Sequence, residues 1–364
     1  MASGCIFTNN SAAVFGGAAY QSQIFGSQLY GNMATNGGAV AWSYVDQCIL
    51  TNNRALDAAG FGGGGALSSE LRNSIVHKNH AVISGGAHAS RLVNCTVTEN
   101  SGLGLGPFSS AINCILWANS IYDYSISSTI HCSVMRYLTY SPGTNNLYTD
   151  PGLVDPFHIS EVSICRGTAH SAPVSGTDWE GDLWLNPPSR GADEYVAGNV
   201  TGPLAVQLEL TTNVVMVNRE LILIGRVQGR ASSVAWSFGD GPTTTPASYY
   251  VRHSWTNAGD YEVTFTAFNG NNLAGVSTKI VIHVLPLTQP KMTSVQRVGP
   301  PDYHYYNFLF ATQIGATNTL EFATNLTPPV AWFPLKVSVA TNDVMRETDY
   351  NPADGVRFYR IQAR

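Results

Sequence analysis

Cys48-Ile-Leu-Thr-Asn-Asn53 is one copy of a six-residue phrase that runs through the first third of the chain. It recurs as Cys5-Ile-Phe-Thr-Asn-Asn10, Ser74-Ile-Val-His-Lys-Asn79, Cys95-Thr-Val-Thr-Glu-Asn100 and Cys114-Ile-Leu-Trp-Ala-Asn119, with a weaker copy in Ser27-Gln-Leu-Tyr-Gly-Asn32. The copies start at residues 5, 27, 48, 74, 95 and 114, so the steps are 22, 21, 26, 21 and 19 residues. A second phrase, Gly-Gly-Ala, trails the first at Gly16, Gly37, Gly64 and Gly85. Two phase-locked phrases at a period near twenty mark a solenoid.

Position by position, the phrase reads as a short strand and a bend. The first and third positions (Cys5/Phe7, Cys48/Leu50, Ser74/Val76, Cys95/Val97, Cys114/Leu116) are apolar or small and fall on one face, pointing into the coil. The sixth is always Asn, which at fixed register can form a ladder of side-chain amides. Gly-Gly-Ala marks another bend, one that needs positive φ or close backbone approach. The expected structure is a parallel β-helix with three bends per turn and coils ~4.8 Å apart. On this reading His88 is a packed or edge histidine, not a catalyst, in a column with Ala19, Val40 and Leu67.

Composition agrees. Only 12% of the 364 residues are charged, about half the ~25% of an ordinary globular protein, and Gly is abundant. A formal charge of -5 argues against a nucleic-acid partner. No apolar run of ~18 residues is present to span a membrane. The chain opens inside a repeat without signal-peptide regions, so a longer natural chain or a removed leader is expected. The six cysteines lack metal-binding spacing. They read as a buried column of free thiols stacked with Ser27 and Ser74, in which Cys132 opens a degenerate last copy. A disulfide between neighbouring rungs is left open.

Phe7-Thr-Asn-Asn10 with Gly16-Gly-Ala18 resembles the paired phrases of polymorphic membrane proteins and related autotransporter passenger domains, over roughly residues 4–120. That resemblance implies a right-handed β-helix exposed outside the cell. Further on, Asp150-Pro-Gly-Leu-Val-Asp155-Pro and Ser189-Arg-Gly-Ala-Asp-Glu-Tyr195 resemble the final coils of secreted bacterial β-helix proteins. Residues 133–195 are accordingly expected to cap the open end of the solenoid.

After Tyr195 the repeat stops and the texture becomes that of short strands separated by turns, a β-sandwich. Trp236-Ser-Phe-Gly-Asp-Gly241, His253-Ser-Trp255 and Ala258-Gly-Asp-Tyr261-Glu-Val263 resemble a polycystic-kidney-disease (PKD) domain over 204–285. Trp236 and Phe238 should face its core, with Asp240 a turn residue. The resemblance implies an extracellular spacer or a contributor to polysaccharide and protein binding. Leu285-Pro-Leu-Thr-Gln-Pro290 reads as a stiff linker. Beyond it, Leu320-Glu-Phe-Ala-Thr-Asn-Leu and Arg357-Phe-Tyr-Arg-Ile-Gln362 resemble a C-terminal sandwich of secreted environmental bacterial proteins, its core built from Tyr303, Tyr305, Tyr306, Trp332 and Phe333. The expected class is therefore all-β: a right-handed parallel β-helix (1–197), an immunoglobulin-like PKD sandwich (198–287) and a small C-terminal β-sandwich (288–364).

Candidate chemistry falls at the exceptions to the repeat. The 26-residue step places its excess in Arg54–Gly65, a bulge that carries Asp57 and has His77, His80 and Glu99 beside it in the stack, imidazoles and carboxylates suited to acid–base catalysis. Tyr30 and Trp117, at the outward fourth phrase position, could stack on sugar rings. Asp178-Trp-Glu-Gly-Asp182 offers hard oxygen ligands in Asp178, Glu180 and Asp182, joined by Asp150 or Asp155, for a Ca2+ ion that locks the cap. Motifs of pectin hydrolases are missing from the sequence. Three functions stand open: a secreted or cell-surface monomer binding polysaccharide or cell-surface glycans, a calcium-dependent hydrolase or lyase acting on polysaccharides, esters or lactones, and a structural spacer.

Overall fold

The computed structural model describes the whole chain except residues 58–61, 137–142, 173, 175, 242–247, 301–303, 351, 353–355 and 364. The centre of the expected bulge, and Tyr303, lie outside the described residues. The fold is all-β; among the described residues the sole helical element is a 3-10 turn at Ala197–Asn199.

The N-terminal part is a solenoid with parallel sheets on its faces. One seven-stranded sheet stacks the residues before each phrase, from Ala2–Ser3 to Thr129–His131, and a second stacks the phrases themselves, from Ile6–Thr8 to Val134–Met135. A third, six-stranded sheet runs from Ala19–Tyr20 to Tyr122–Tyr124, its first four strands lying at the Gly-Gly-Ala phrases. In the second sheet the third phrase positions pair in register (Phe7, Leu29, Leu50, Val76, Val97, Leu116, Met135) and form an apolar column. It meets Ile24, Val45, Leu71, Leu92 and Ile130 of the first sheet in one continuous core. Each fully buried Leu or Val there is worth about 1.5–3 kcal/mol.

Ladders of polar side chains hold the bends. Asn10, Asn32, Asn53, Asn79, Asn100 and Asn119 pass amide hydrogen bonds down the stack at 2.9–3.1 Å. Asn119 ends it by donating to Asp123 Oδ1. The residue before each ladder Asn is left-handed, with φ of 53°, 65°, 54°, 50°, 53° and 57° at Asn9, Gly31, Asn52, Lys78, Glu99 and Ala118. A serine ladder, unforeseen from the sequence, occupies another bend, where Ser22, Ser43 and Ser69 take their neighbours' hydroxyls on backbone N–H, as Ser90 does from Ser109.

Two column assignments need correction. The extra residues of the long rung shift Gly-Gly-Ala by one position, so His88 pairs with Leu67 and through it with Ala41 and Tyr20, not with Ala19 and Val40. At the last coil, Ser133 receives the Cys114 N–H and continues the thiol column in place of Cys132. All six cysteines are free.

The expected end cap is mostly a lateral cover. Residues 144–147 hydrogen-bond the last coil through Thr144 and Leu147. The chain then runs back along the flank of the solenoid. Asn113 C=O accepts from the Gly191 N–H, Thr96 Oγ1 from the Ala192 N–H, and the Gln47 amide donates to the Asp178 carbonyl.

The described residues form two compact units. The first contains 1–211, 222–252 and 262–280. Its sandwich pairs Ala205–Glu209 with Leu221–Gln228, and Ser233–Ser237 with Gly259–Asn269, all antiparallel. Trp236, Phe238 and Phe265 pack in its core as expected. The second unit contains 212–221, 253–261 and 281–364. It carries two three-stranded antiparallel sheets, ordered Lys291–Val298, Tyr305–Ala311, Val344–Asp349 and Phe333–Val339, Thr317–Ala323, Phe358–Ala363. Its core is Phe308, Phe310 and Leu320. Tyr305, Tyr306 and Trp332 are only partly buried and Phe333 is exposed; Tyr306 shares the inward face of its strand with Phe308 and Phe310 but sits at the strand's open end, against Tyr359.

Candidate functional site

Three places on the first unit bear on function. The first is the flank of the second sheet, where the expected catalytic group was placed. His77 is 6% exposed. Its ring meets Phe157 of the covering segment edge-on at 5.3 Å. Thr98 donates its hydroxyl to the Pro156 carbonyl, so its oxygen accepts from His77 Nδ1 at 3.1 Å. Burial holds this imidazole neutral, lowering its pKa to about 4.

Glu99 faces Arg226, which strand Leu221–Gln228 of the sandwich brings in; both guanidinium ends bond the carboxylate at 2.6 Å. Arg226 Nε also bonds Glu209 at 2.7 Å, and Lys78 Nζ lies 3.7 Å from Glu99. Burial alone would raise the Glu99 pKa, but its bonds to Arg226 and the surrounding positive charge hold it below the usual range. His77 and Glu99 are thus brought together, but as interior groups with fixed partners. His80 is exposed. Asp57 acts electrostatically on His88, whose Nδ1 sits 3.2 Å from Ser84 Oγ. Ser84 is fully buried, out of reach of a substrate.

The fourth-position column splits. Tyr30 is 47% exposed, whereas Trp117, expected outward beside it in function, is 8% exposed. The covering segment and the sandwich bury Trp117 in an apolar cluster with Leu153, Ile159, Tyr249 and Tyr250. It is a packing residue, and the sugar-stacking expectation fails for it on that ground.

The second place is the acidic turn. Asp178 is fully buried, and its Oδ1 accepts the N–H groups of Glu180 and Asp182 while Oδ2 accepts that of Glu194. Asp182 accepts from the Asn199 amide at 2.6 Å. Glu180 turns the other way, toward His158 and Arg230. The three expected calcium ligands therefore point to different partners: side chains at alternate positions of a tight turn diverge once the first carboxylate caps the turn. Asp150 and Asp155 likewise accept local backbone N–H groups.

The third place was not foreseen. On the first two coils Phe15, Tyr20 and Trp42 form a cluster of three rings, with centroids 5.8, 4.7 and 5.7 Å apart, one pair stacked and two edge-on. Tyr20 and Trp42 are 46% and 44% exposed. Trp42 occupies the corner column that other coils fill with Gln21, Ser68 and Ala89, and all four have φ near 48°. Left-handed backbone is unfavourable for a bulky side chain. Further along the same coil, Tyr44 packs against Phe25 at 5.8 Å, with Asp46 beside its hydroxyl. The signal lay in the sequence as a tryptophan where neighbouring coils carry small or polar residues.

Comparison with known proteins bears on the sandwich. Residues 205–282 match the PKD domain family. That match accounts for the Trp236–Phe238 core and the strands around it. No curated protein matches the chain. Among solved structures, one described as the structural basis for the promiscuous specificity of carbohydrate-binding modules from the β-sandwich superfamily shares 12% identity, covering 44% of this chain and 91% of that one at a TM-score of 0.23. The fibronectin(III)-like modules of Clostridium thermocellum CbhA share 12% identity, covering 44% of this chain and 85% of that one at 0.22. Neither likeness bears on what this chain binds. No described helix is long and apolar enough to cross a membrane.

Proposed function

We propose that this chain is an extracellular binding protein that holds a polysaccharide or cell-surface glycan on the aromatic corner of its first coils, with the PKD domain as a spacer. The Phe15–Tyr20–Trp42 cluster, in which Tyr20 and Trp42 are exposed and Phe15 half-buried, carries this reading. Flat rings at a convex corner offer apolar faces to the C–H faces of sugars, and the nearby Asp46 and Tyr44 hydroxyl supply polar contacts at the edge. The unfavourable backbone of Trp42 fits a residue retained for contact more than for folding. His77 and Glu99, the core of the hydrolase reading, are committed to packing and to the ion pair with Arg226.

Affinity electrophoresis and sedimentation with a panel of soluble and insoluble polysaccharides test this. At least one polymer should retard the protein, and Trp42→Ala should weaken that binding by roughly thirtyfold, the effect of losing one aromatic hot spot of about 2 kcal/mol. Equal retardation of Trp42→Ala, or of Tyr20→Ala, would refute the assignment. So would the absence of retardation across the panel.

A further inference from the structure

The covering segment folds three of its turns around one buried point. The first turn is built on Asp155. Its Oδ1 accepts the N–H groups of Phe157 and His158 at 2.7 and 2.9 Å, and its Oδ2 accepts His158 Nδ1–H at 2.7 Å. This fixes the ring and leaves Nε2 as the free nitrogen, pointing inward. His158 is 7% exposed, and its Nε2 has no hydrogen-bond partner. The second turn presents Glu180, whose Oε2 lies 3.4 Å from His158 Nε2. The third contributes Asp193, 1% exposed: its Oδ2 accepts the Ile159 N–H, and its Oδ1 has no hydrogen-bond partner. The three atoms lie within 4.8 Å of one another.

We propose that His158 Nε2, Glu180 Oε2 and Asp193 Oδ1 form a site for a divalent transition-metal ion, zinc being the ion the donor set suits best. An imidazole nitrogen with two carboxylate oxygens matches borderline cations, whereas Ca2+ prefers all-oxygen shells. Asp155 occupies the position of an outer carboxylate that orients a metal-binding histidine through its other nitrogen. Arg230, whose guanidinium touches Glu180 and lies 3.8 Å from Asp193 Oδ1, is then the competitor the metal must move aside. The partly exposed Glu180 side chain is the entry point. This site is independent of the aromatic corner.

The full chain, stripped with a chelator, is titrated separately with Zn2+, Co2+ and Ca2+ chloride, and bound metal is counted by elemental analysis. Expected are about one zinc per chain, weaker calcium binding, and a cobalt spectrum without a thiolate charge-transfer band. Glu180→Gln and His158→Gln should each abolish stoichiometric uptake, Asp155→Asn should weaken it about 10–100-fold, and Arg230→Gln should tighten it. Substoichiometric zinc, a thiolate band, unchanged uptake in Glu180→Gln or weaker uptake in Arg230→Gln would each overturn the proposal. If His158→Gln does not fold, Glu180→Gln carries the test, since its side chain reaches the surface. Protonated His158 in a metal-free ion network is the outcome in which no metal binds and Arg230→Gln changes nothing but stability.

Discussion

The second sheet offers one backbone column in two environments. Tyr30, Thr51, His77, Thr98 and Trp117 are paired in register, rung upon rung, with the same local geometry. In the early coils the column meets solvent: Tyr30 is exposed and Thr51 half-buried. From His77 onward it is interior, because residues 153–159 and the sandwich residues Tyr249 and Tyr250 lie over it. The neighbouring left-handed column changes in step, from Asn9 and Asn52 to Lys78 and Glu99, where Arg226 arrives. Repeat position alone therefore does not determine exposure. What determines it is how far the returning chain reaches.

Three measurements can break or sharpen that contrast. The largest effect is expected at the point where the sandwich grips the covered coils. Arg226→Ala leaves Glu99 buried without its main partner and should cost about 3–5 kcal/mol in urea denaturation. Replacing Glu99 by Gln as well should recover part of that loss; a cost below about 1 kcal/mol would mean the pair behaves as a surface bridge.

Acid should act next, and only on the covered region. The His77 pKa falls from 6.5 to about 4 through burial. Below pH 6.5 the unfolded chain therefore binds a proton that the folded chain refuses. Stability from this group is present above pH 6.5 and declines as pH falls toward 4, by up to about 3 kcal/mol. His77→Asn should flatten the stability profile between those values, relative to the parent. Parallel profiles would show that the ring is not held neutral.

The smallest difference concerns the ladder. Asn100 is fully buried and bonds both neighbouring asparagines, so Asn100→Ala should cost about 2–3 kcal/mol through unsatisfied partners. Asn10, in the exposed first coil, makes the equivalent bond to Asn32. Asn10→Ala should cost under about 1 kcal/mol. Equal thermal shifts would remove the distinction between covered and bare coils.

Legibility followed locality. The phrase columns, the asparagine ladder and the core positions of Trp236 and Phe238 depend on side-chain alternation within a few residues, and these were readable. The serine ladder was equally local but hidden by the more conspicuous asparagines. The one-residue slip at His88 arises because Gly-Gly-Ala looks the same in every rung, while the insertion before Gly64 shifts what it stacks on. Trp117 and Glu99 could not be read in this way. Their burial comes from segments dozens of residues later in the chain, and nothing in the period announces them. Among the acidic residues, local turn chemistry claimed Asp178 and released Glu180 toward His158, a partner too distant in sequence to suggest a ligand set.

The thiol column gives the molecule an internal means of timing its own opening. Burial pushes Cys48 and Cys165 up to about 12 and raises Cys95 as well, so these three thiols carry almost no reactive thiolate at neutral pH while the coils are closed. At the buried thiols an alkylating reagent then reads only molecules that have transiently opened, whereas Cys5 in the first coil is partly exposed. Because Cys48, Cys95 and Cys114 sit in different coils and Cys165 in the segment that covers them, their separate alkylation rates resolve which part of the solenoid breathes first and which waits for global unfolding.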